Sequence, residues 1–472
     1  MRFLERLSQH ARSRGEHEAV VTNSFTLNYS DLFQCVNRTA LALRSSGFAA
    51  SDIVGLTLDD EIENLIVSLA LMAMGAGQIT LASHDTADMR TNIAERVGLT
   101  KVVSVVEASN VFDHAWLKPG ACAGDRYIAA SEAGAATVYF RTSGTTGDIN
   151  IVPLTEHQIA DQSERNGDYA LERLLRLASI EHNNSKRHRL YCVWVGGTNV
   201  FRPKTPFAFI DFVLDHNVTC LDISRMHASD IVTLDGADKL SQVKLRTGGS
   251  AIPYAVRKKI EEHVTRKLYV RYAATECGSI SIARPGEHDE AETVGLVVDG
   301  VELEIVDDKG NRMAAGESGQ IRLRAPGIAA GYLNAPADSA KRFRDGWFYP
   351  GDVGCLREDG ALIIQGRIDD MFILNGVNIF PAEIEGMLET HPDVCCAAAL
   401  GLPSQVHGHI PVAAVELKKN AVTSAAELRR FARAALGLKA PRRILVLDSL
   451  PRNSQGKITR RALLPLFTSE AV

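Results

Sequence analysis

The run TVYFRTSGTTGDIN holds the densest set of groups able to do chemistry. An apolar strand pattern leads straight into Thr142, Ser143, Gly144, Thr145, Thr146 and Gly147. The glycines free the backbone to turn its N–H groups inward and the hydroxyls add donors, which together make a cradle for phosphate oxygens. The run is not a Walker loop, because GxxxxGK[ST] is absent. Nor does Gly75-Ala76-Gly77 open a dinucleotide fingerprint, because Thr80 holds the third glycine's place. Taken alone, such a cluster is equally a solvated turn.

These groups need elements to position them. In the first third, Ser30 can cap a helix with Leu32, Val36, Ala40 and Leu43 on one face, ending near Gly47. A strand over 53–58, a helix over 61–74, the short strand QITLA, a helix over 87–97 and the strand VVSVV follow. Such alternation predicts a mostly parallel sheet covered by helices. From Thr293 the texture changes to VELEIV, a DDKG turn, QIRLR and DGALIIQG, which predict antiparallel hairpins in a small barrel-like unit. In the last hundred residues Pro381 opens a helix, CAAALGL and PVAAVEL read as strands, Ser424 and Glu427 form a capping box, and RRILVLDSL reads as a closing strand. The polar GRIDD run marks a boundary near Asp369.

Composition narrows the classes. The chain has 472 residues, with 52 basic against 57 acidic side chains and no basic block, so it lacks the electrostatic footprint of a nucleic-acid binder. The most apolar stretch, Leu65 to Ile79, is shorter than a bilayer span and predicts a buried helix. The N-terminus is charged throughout, without a signal-type apolar segment, and the expected location is cytoplasmic. Eight cysteines without a CxxC pair read as structural thiols.

Further segments fall in a particular order after the loop: LRTGGSAIP, YAATE, GWFYPGDVG, GRIDDMFILNGVNIFPAEIE and PRNSQGKITR. Together with TSGTTG they resemble the adenylate-forming superfamily, which includes acyl-CoA synthetases, peptide-synthetase adenylation domains and beetle luciferases. The resemblance spans most of the chain. It implies an α/β fold with a large N-terminal domain (1–368) of layered α/β subdomains and a small β-barrel-like subdomain. A small mobile α+β C-terminal domain (369–472) would follow.

The implied reaction has two steps: a carboxylate attacks the α-phosphate of ATP, releasing pyrophosphate, and a thiol then takes the acyl group from the adenylate. By resemblance, the Thr142–Gly147 loop holds the β and γ phosphates, Thr275 touches the α-phosphate and Glu276 ligates Mg2+. A carboxylate suits that hard cation. Tyr272 and the backbone at Gly248 and Gly249 sandwich the adenine. Asp352 accepts both ribose hydroxyls, and Arg367 assists there. Asp369 matches the hinge, and Gly376 faces the channel for the thiol. Lys457 bridges the carboxylate and the α-phosphate, where an ammonium stabilises developing charge. Outside this context Tyr272 reads as a core aromatic, Asp352 as a turn former, and Arg367 and Lys457 as surface cations. The acceptor is coenzyme A or the phosphopantetheine of a separate carrier protein. Asp448-Ser449-Leu450 mimics a carrier attachment site, but too few residues follow it for a carrier helix bundle, so Ser449 reads as structural.

Three departures stand out. Ile149 and Asn150 occupy the proline and lysine places after the loop, which motivates a third reading, a binding protein without turnover. Ile373 replaces a lysine after GRIDD. Between Tyr191 and Leu221, where many relatives place a gate to the acyl pocket, the chain offers Trp194, which reads either as gate or as core filler, and no matching histidine. Arg202 and Lys204 could anchor an acidic substrate, but a surface position is expected for both.

Overall fold

The structure is a computed structural model that describes residues 1–105, 111–117, 134–142, 149–166, 169–452 and 458–468. Among them four sheets form. The largest runs in the order Leu296–Val297, Gly278–Ala283, Leu268–Ala274, Lys244–Gly248, Cys220–Ile223, Arg173–Arg176, Thr198–Val200, Glu18–Val21 and Thr26–Asn28. Its inner strands, from Leu268–Ala274 to Glu18–Val21, are parallel, and antiparallel pairings close both edges. A second sheet places Ile53–Thr57 between Lys101–Ser104 and Gly77–Thr80, followed by Thr137–Thr142 and antiparallel Asn150–Thr155. Parallel strands need covered faces, and the helices supply the cover.

Local chemistry sets most helix limits. Asp60 Oδ1 accepts from the amides of Ile62 and Glu63 to start Glu61–Met74, and Gly75 ends that helix at φ +81°, a conformation other residues resist. The helix Tyr29–Ser45 is capped by Asn28, whose Oδ1 accepts from Asp31 N at 2.8 Å. The expected cap, Ser30, lies inside the first turn instead and turns its hydroxyl to the Ala11 carbonyl. The strand expected over VVSVV is Lys101–Ser104.

One helix has no counterpart in the sequence reading. Asn183–Val195 begins NNSKRHR, yet Ser185 through Val195 are buried. Its buried first turns carry the ionisable Lys186, Arg187, His188 and Arg189 and its last turns are apolar on every side, so no amphipathic periodicity reveals it. It packs in the largest apolar cluster beside Glu61–Met74 and Tyr29–Ser45.

The hairpins expected after Thr293 form an antiparallel sheet of Glu302–Val306, Gly319–Arg324, Phe343–Arg344, Trp347–Phe348, Asp352–Leu356 and Leu362–Arg367. A separate sheet, Phe372–Leu374, Val377–Ile379, Val394–Ser404, Gly408–Leu417 and Arg443–Leu447, makes the small C-terminal domain with the helices Pro381–Glu389 and Ala425–Leu436. Ser424 and Glu427 cap the latter reciprocally, as their spacing predicts. Among the described residues no helix is long and apolar enough to cross a membrane.

Candidate active site

The strand Thr137–Thr142 delivers the phosphate-type loop to the carboxyl end of its sheet, where open α/β folds place ligands. Thr142 ends the strand and pairs with Asn150 across it. Ser143, Gly144, Thr145, Thr146 and Gly147 lie outside the described residues, as does Lys457. The flanks of the loop are held: Asn183 Nδ2 donates to the Arg141 carbonyl, Arg141 pairs with Asp85 at 2.5 Å, and Arg96 Nη1 donates to the Ile149 carbonyl at 2.6 Å.

The ends of two adjacent strands of the largest sheet carry further expected positions. Gly248 closes Lys244–Gly248, and a Cβ on it would stand 2.6 Å from the Arg271 carbonyl, so only glycine permits the approach. Gly249 follows at φ +83° with open space beside it. On the neighbouring strand Leu268–Ala274 a register shift at Tyr272/Ala273 re-aims the chain. Tyr272 donates its phenol proton to Asp352 Oδ2. Burial, reinforced by the Asp352 charge, holds that phenol well above its ordinary pKa, so it stays a donor. Asp352 is 7% exposed, and Arg367 Nη1 lies 3.4 Å from its Oδ1.

Arg367 also reaches Asp369 at 3.4 Å, and Arg342 pairs with the same Asp369 oxygen. Tyr272, Asp352, Arg367 and Asp369 thus form one hydrogen-bonded line, and a cavity of about 220 Å³ opens along Arg342, Tyr349, Asp352 and Asp369.

Thr275 and Glu276 come directly after that strand. The Thr275 carbonyl accepts from Arg187 Nη1 at 2.7 Å. Glu276 is 8% exposed, and its Oε1 accepts from the Tyr332 hydroxyl at 2.7 Å. Tyr332 is placed by a loop whose carbonyls at Gly327 and Ile328 accept from Gln162 and Gln158 of the helix Glu156–Glu164. The glycine backbones fit a flat ring, the Asp352 carboxylate fits vicinal hydroxyls, and the oriented Glu276 carboxylate fits a hard cation.

Other expected positions fall elsewhere. Gly376, at φ +81°, sits in the exposed turn between Phe372–Leu374 and Val377–Ile379, and Ile373 is 47% exposed beside it. Lys204 and Arg202 are exposed, and Lys204 pairs with Asp59. Trp194, which the sequence leaves open as gate or core filler, is buried and makes the contacts of core filler. Its ring packs on Phe3 at 4.9 Å under the Arg6 guanidinium, and its Nε1 donates to Glu164 at 2.6 Å, which makes it core that fastens the first helix. The end of that helical segment nearer the loop instead carries His182, whose ring lies 4.9 Å from that of His84. Burial and the neighbouring His84 hold it below its ordinary pKa. The sequence alone does not point to Tyr332, Arg187 or His182, because GYLN, KRHR and EHNN offer no spacing that marks a site.

Two family models fit the chain: AMP-binding enzyme over residues 7–333 and AMP-binding enzyme C-terminal domain over 383–457. A 2-succinylbenzoate–CoA ligase of Geobacillus kaustophilus (strain HTA426) is 28% identical, over 98% of this chain and 97% of its own. Among solved structures, the o-succinylbenzoate CoA synthetase from Bacillus subtilis, in complex with its acyl-adenylate intermediate, superposes with a TM-score of 0.83 at 23% identity, covering 97% of both chains. The amide bond synthetase from Marinactinospora thermotolerans gives 0.82 at 20%, covering 98% of this chain and 99% of that one. Both share the large domain and small terminal domain described above. The first family model alone takes in well over half of the residues, including the loop strand, Tyr272 and Glu276, and by that measure the chain belongs to the AMP-binding enzyme family.

Proposed function

We propose that this enzyme activates a carboxylic acid with ATP and Mg2+ and passes the acyl group to the thiol of coenzyme A. The observation that carries the reading is the line from Tyr272 through Asp352 to Arg367, set at the end of the strand that continues into Thr275 and Glu276. Such a line binds a ring and two vicinal hydroxyls on one side and a phosphate on the other.

In the first step a carboxylate oxygen forms a bond to the α-phosphorus while the bond to the pyrophosphate oxygen breaks. Both reactants are anionic, so the chain must supply donors and cations to each. In this reading the Thr142–Gly147 loop holds the outer phosphates, Thr275 the α-phosphate, and Lys457 bridges carboxylate and phosphate. Glu276 holds the metal, which neutralises phosphate charge when bound. Gly248, Gly249 and Tyr272 bind the adenine, and Asp352 with Arg367 the ribose. In the second step the thiol sulfur attacks the acyl carbon and AMP leaves. Asp369 is the hinge between domains 1–368 and 369–472, and Gly376 borders the thiol's path after the swing. The relative from Geobacillus is named a CoA ligase, which supports coenzyme A as acceptor over a carrier protein.

Pyrophosphate release with ATP and Mg2+, over a panel of acids, tests the reading. Release that depends on one acid class and collapses in Lys457→Ala supports it; no release with any acid refutes it. Thioester formation with coenzyme A against a pantetheinylated carrier then decides the acceptor.

A further inference from the structure

Residues 275–277 turn the strand Leu268–Ala274 into Gly278–Ala283, and each carbonyl of this turn is held from a different part of the chain. That of Thr275 accepts from Arg187 Nη1 at 2.7 Å, that of Glu276 from Ala329 N at 2.8 Å, and that of Cys277 from Arg165 Nη2. Arg187 Nη1 also reaches the Ala274 carbonyl at 3.5 Å. Among the described residues the Thr275 side chain makes no hydrogen bond, so Arg187 is the side chain that fixes this residue while its hydroxyl stays open to another partner.

Arg187 is 5% exposed and lies on the helix Asn183–Val195, which braces two sheets against each other. Toward the large sheet, Ser185 Oγ accepts from Arg176 Nε, and His188 Nδ1 from Arg271 Nη1 at 3.2 Å. Toward the second sheet, Asn183 Nδ2 donates to the Arg141 carbonyl, and Lys186 Nζ lies 3.3 Å from Thr80 Oγ1. Asn183 and Arg187 are four residues apart, so they share a helix face and stand about 6 Å apart along its axis. The Arg187 guanidinium lies 5.8 Å from the centroid of the Phe140 ring, on the strand Thr137–Thr142. One face of one helix thus fixes both the end of the strand that leads into Thr142 and the turn that carries Thr275.

A turn carbonyl does not need a cation. A backbone amide satisfies that of Glu276 next door, whereas burying a guanidinium costs desolvation. What the guanidinium adds is rigidity, because its planar fork is pre-organised and loses little freedom for each hydrogen bond it makes.

We propose that Arg187 is a positioning residue for adenylation: it holds Thr275 at the distance from the strand Thr137–Thr142 at which Thr275 meets the α-phosphate. This rests on the proposed function, which puts Thr275 at that phosphate, and adds the residue that sets the contact. Arg187 acts through the Thr275 carbonyl and not on the nucleotide itself.

Adenosine, AMP and ATP separate this role from packing, because they share the nucleoside and differ in phosphates. Calorimetric titration of the full-length enzyme should give a lower Kd for AMP than for adenosine. Arg187→Met should raise the Kd of AMP and of ATP by the same factor, on the order of 10-fold, and leave that of adenosine unchanged. Because a misplacement of about 1 Å can cost ~100-fold in rate, kcat for pyrophosphate release should fall by more than the Kd values rise. Arg187→Lys, which keeps a donor for the carbonyl without the fork, should recover most of the AMP affinity. If the methionine variant does not fold, Arg187→Gln, whose shorter amide leaves the carbonyl unbonded, takes its place. An equal rise for all three ligands, or a rise for none, overturns the inference while leaving the proposed function standing. A parent enzyme that binds AMP no tighter than adenosine makes no phosphate contact at Thr275, and then the proposed function and this inference fall together.

Discussion

Tyr332 donates its hydroxyl proton to Glu276 Oε1 across 2.7 Å, tying the loop that follows the Gly319–Arg324 strand to the residue just past the strand Leu268–Ala274. Burial and the Glu276 charge push the phenol's pKa up, so the tyrosine remains a donor throughout the working pH range. A carboxylate with one oxygen fixed in this way presents the other in a set direction. Outer partners of this kind orient metal ligands.

Tyr332→Phe should therefore weaken Mg2+ binding at the proposed Glu276 site more than folding. The lost hydrogen bond is worth about 1–2 kcal/mol, so the Mg2+ concentration for half-maximal pyrophosphate release should rise roughly 10-fold. The KM for the acid should change little. A Mg2+ titration at saturating ATP checks both.

Lys186 gives the pH prediction. It is 2% exposed, its Nζ reaches Thr80 Oγ1 at 3.3 Å, and burial pulls its pKa down to about 7. Unfolded, a lysine titrates near ~10.4. Between these values the unfolded chain holds a proton that the folded chain lacks, so stability rises as pH increases from about 7 toward about 10. Below about 7 the folded state carries the full cost of a buried charge, on the order of a few kcal/mol. Lys186→Met should raise Tm at pH 6 and flatten the increase seen in the parent between pH 7 and 10. A variant that is less stable than the parent at pH 6 would show that Lys186 has an anionic partner.

What the sequence reveals follows from how local the cause is. The helix Glu61–Met74 is legible because its cap, its apolar residues and its glycine stop are consecutive. The helix Asn183–Val195 is not, because Lys186, Arg187, His188 and Arg189 are buried by partners that the chain supplies from far away: Thr80, the Thr275 carbonyl, Tyr169 and Glu61. The site divides in the same way. Tyr272, Thr275 and Glu276 stand within five residues and are read together. That Tyr272 meets Asp352, 80 positions on, or that Tyr332 meets Glu276, depends on sheet order, which no short window records.

Trp194 separates packing from gating. Removing it opens a cavity against Phe3 and leaves Glu164 without its indole donor. Trp194→Ala should cost about 3–5 kcal/mol in denaturant unfolding. The order of preference among acids should be that of the parent, because the ring lies on the side of the helix that faces the N-terminal segment. A reordered acid panel would favour the gate reading instead.

The hinge prediction concerns a link between the two domains. Arg225, in the helix Arg225–Ile231 beside the large sheet, pairs with Glu389, the last residue of Pro381–Glu389 in the C-terminal domain. The Glu389 side chain is 5% exposed, and its Oε1 also accepts from Ala397 N at 3.0 Å, so it cannot turn to solvent when its partner is removed. Breaking a buried pair from one side costs about 3–5 kcal/mol, and that cost falls on this arrangement of the domains alone. A domain swing that exposes Glu389 relieves it, so Arg225→Ala should shift the population away from the present arrangement. Cleavage between Ile368 and Met371 by a limiting protease should accelerate, and the rates of adenylation and thioester formation should move by different factors. Arg225→Lys should restore most of both. Equal changes in the two rates, with unaltered cleavage, would place the pair in the stability of the C-terminal domain instead of its motion.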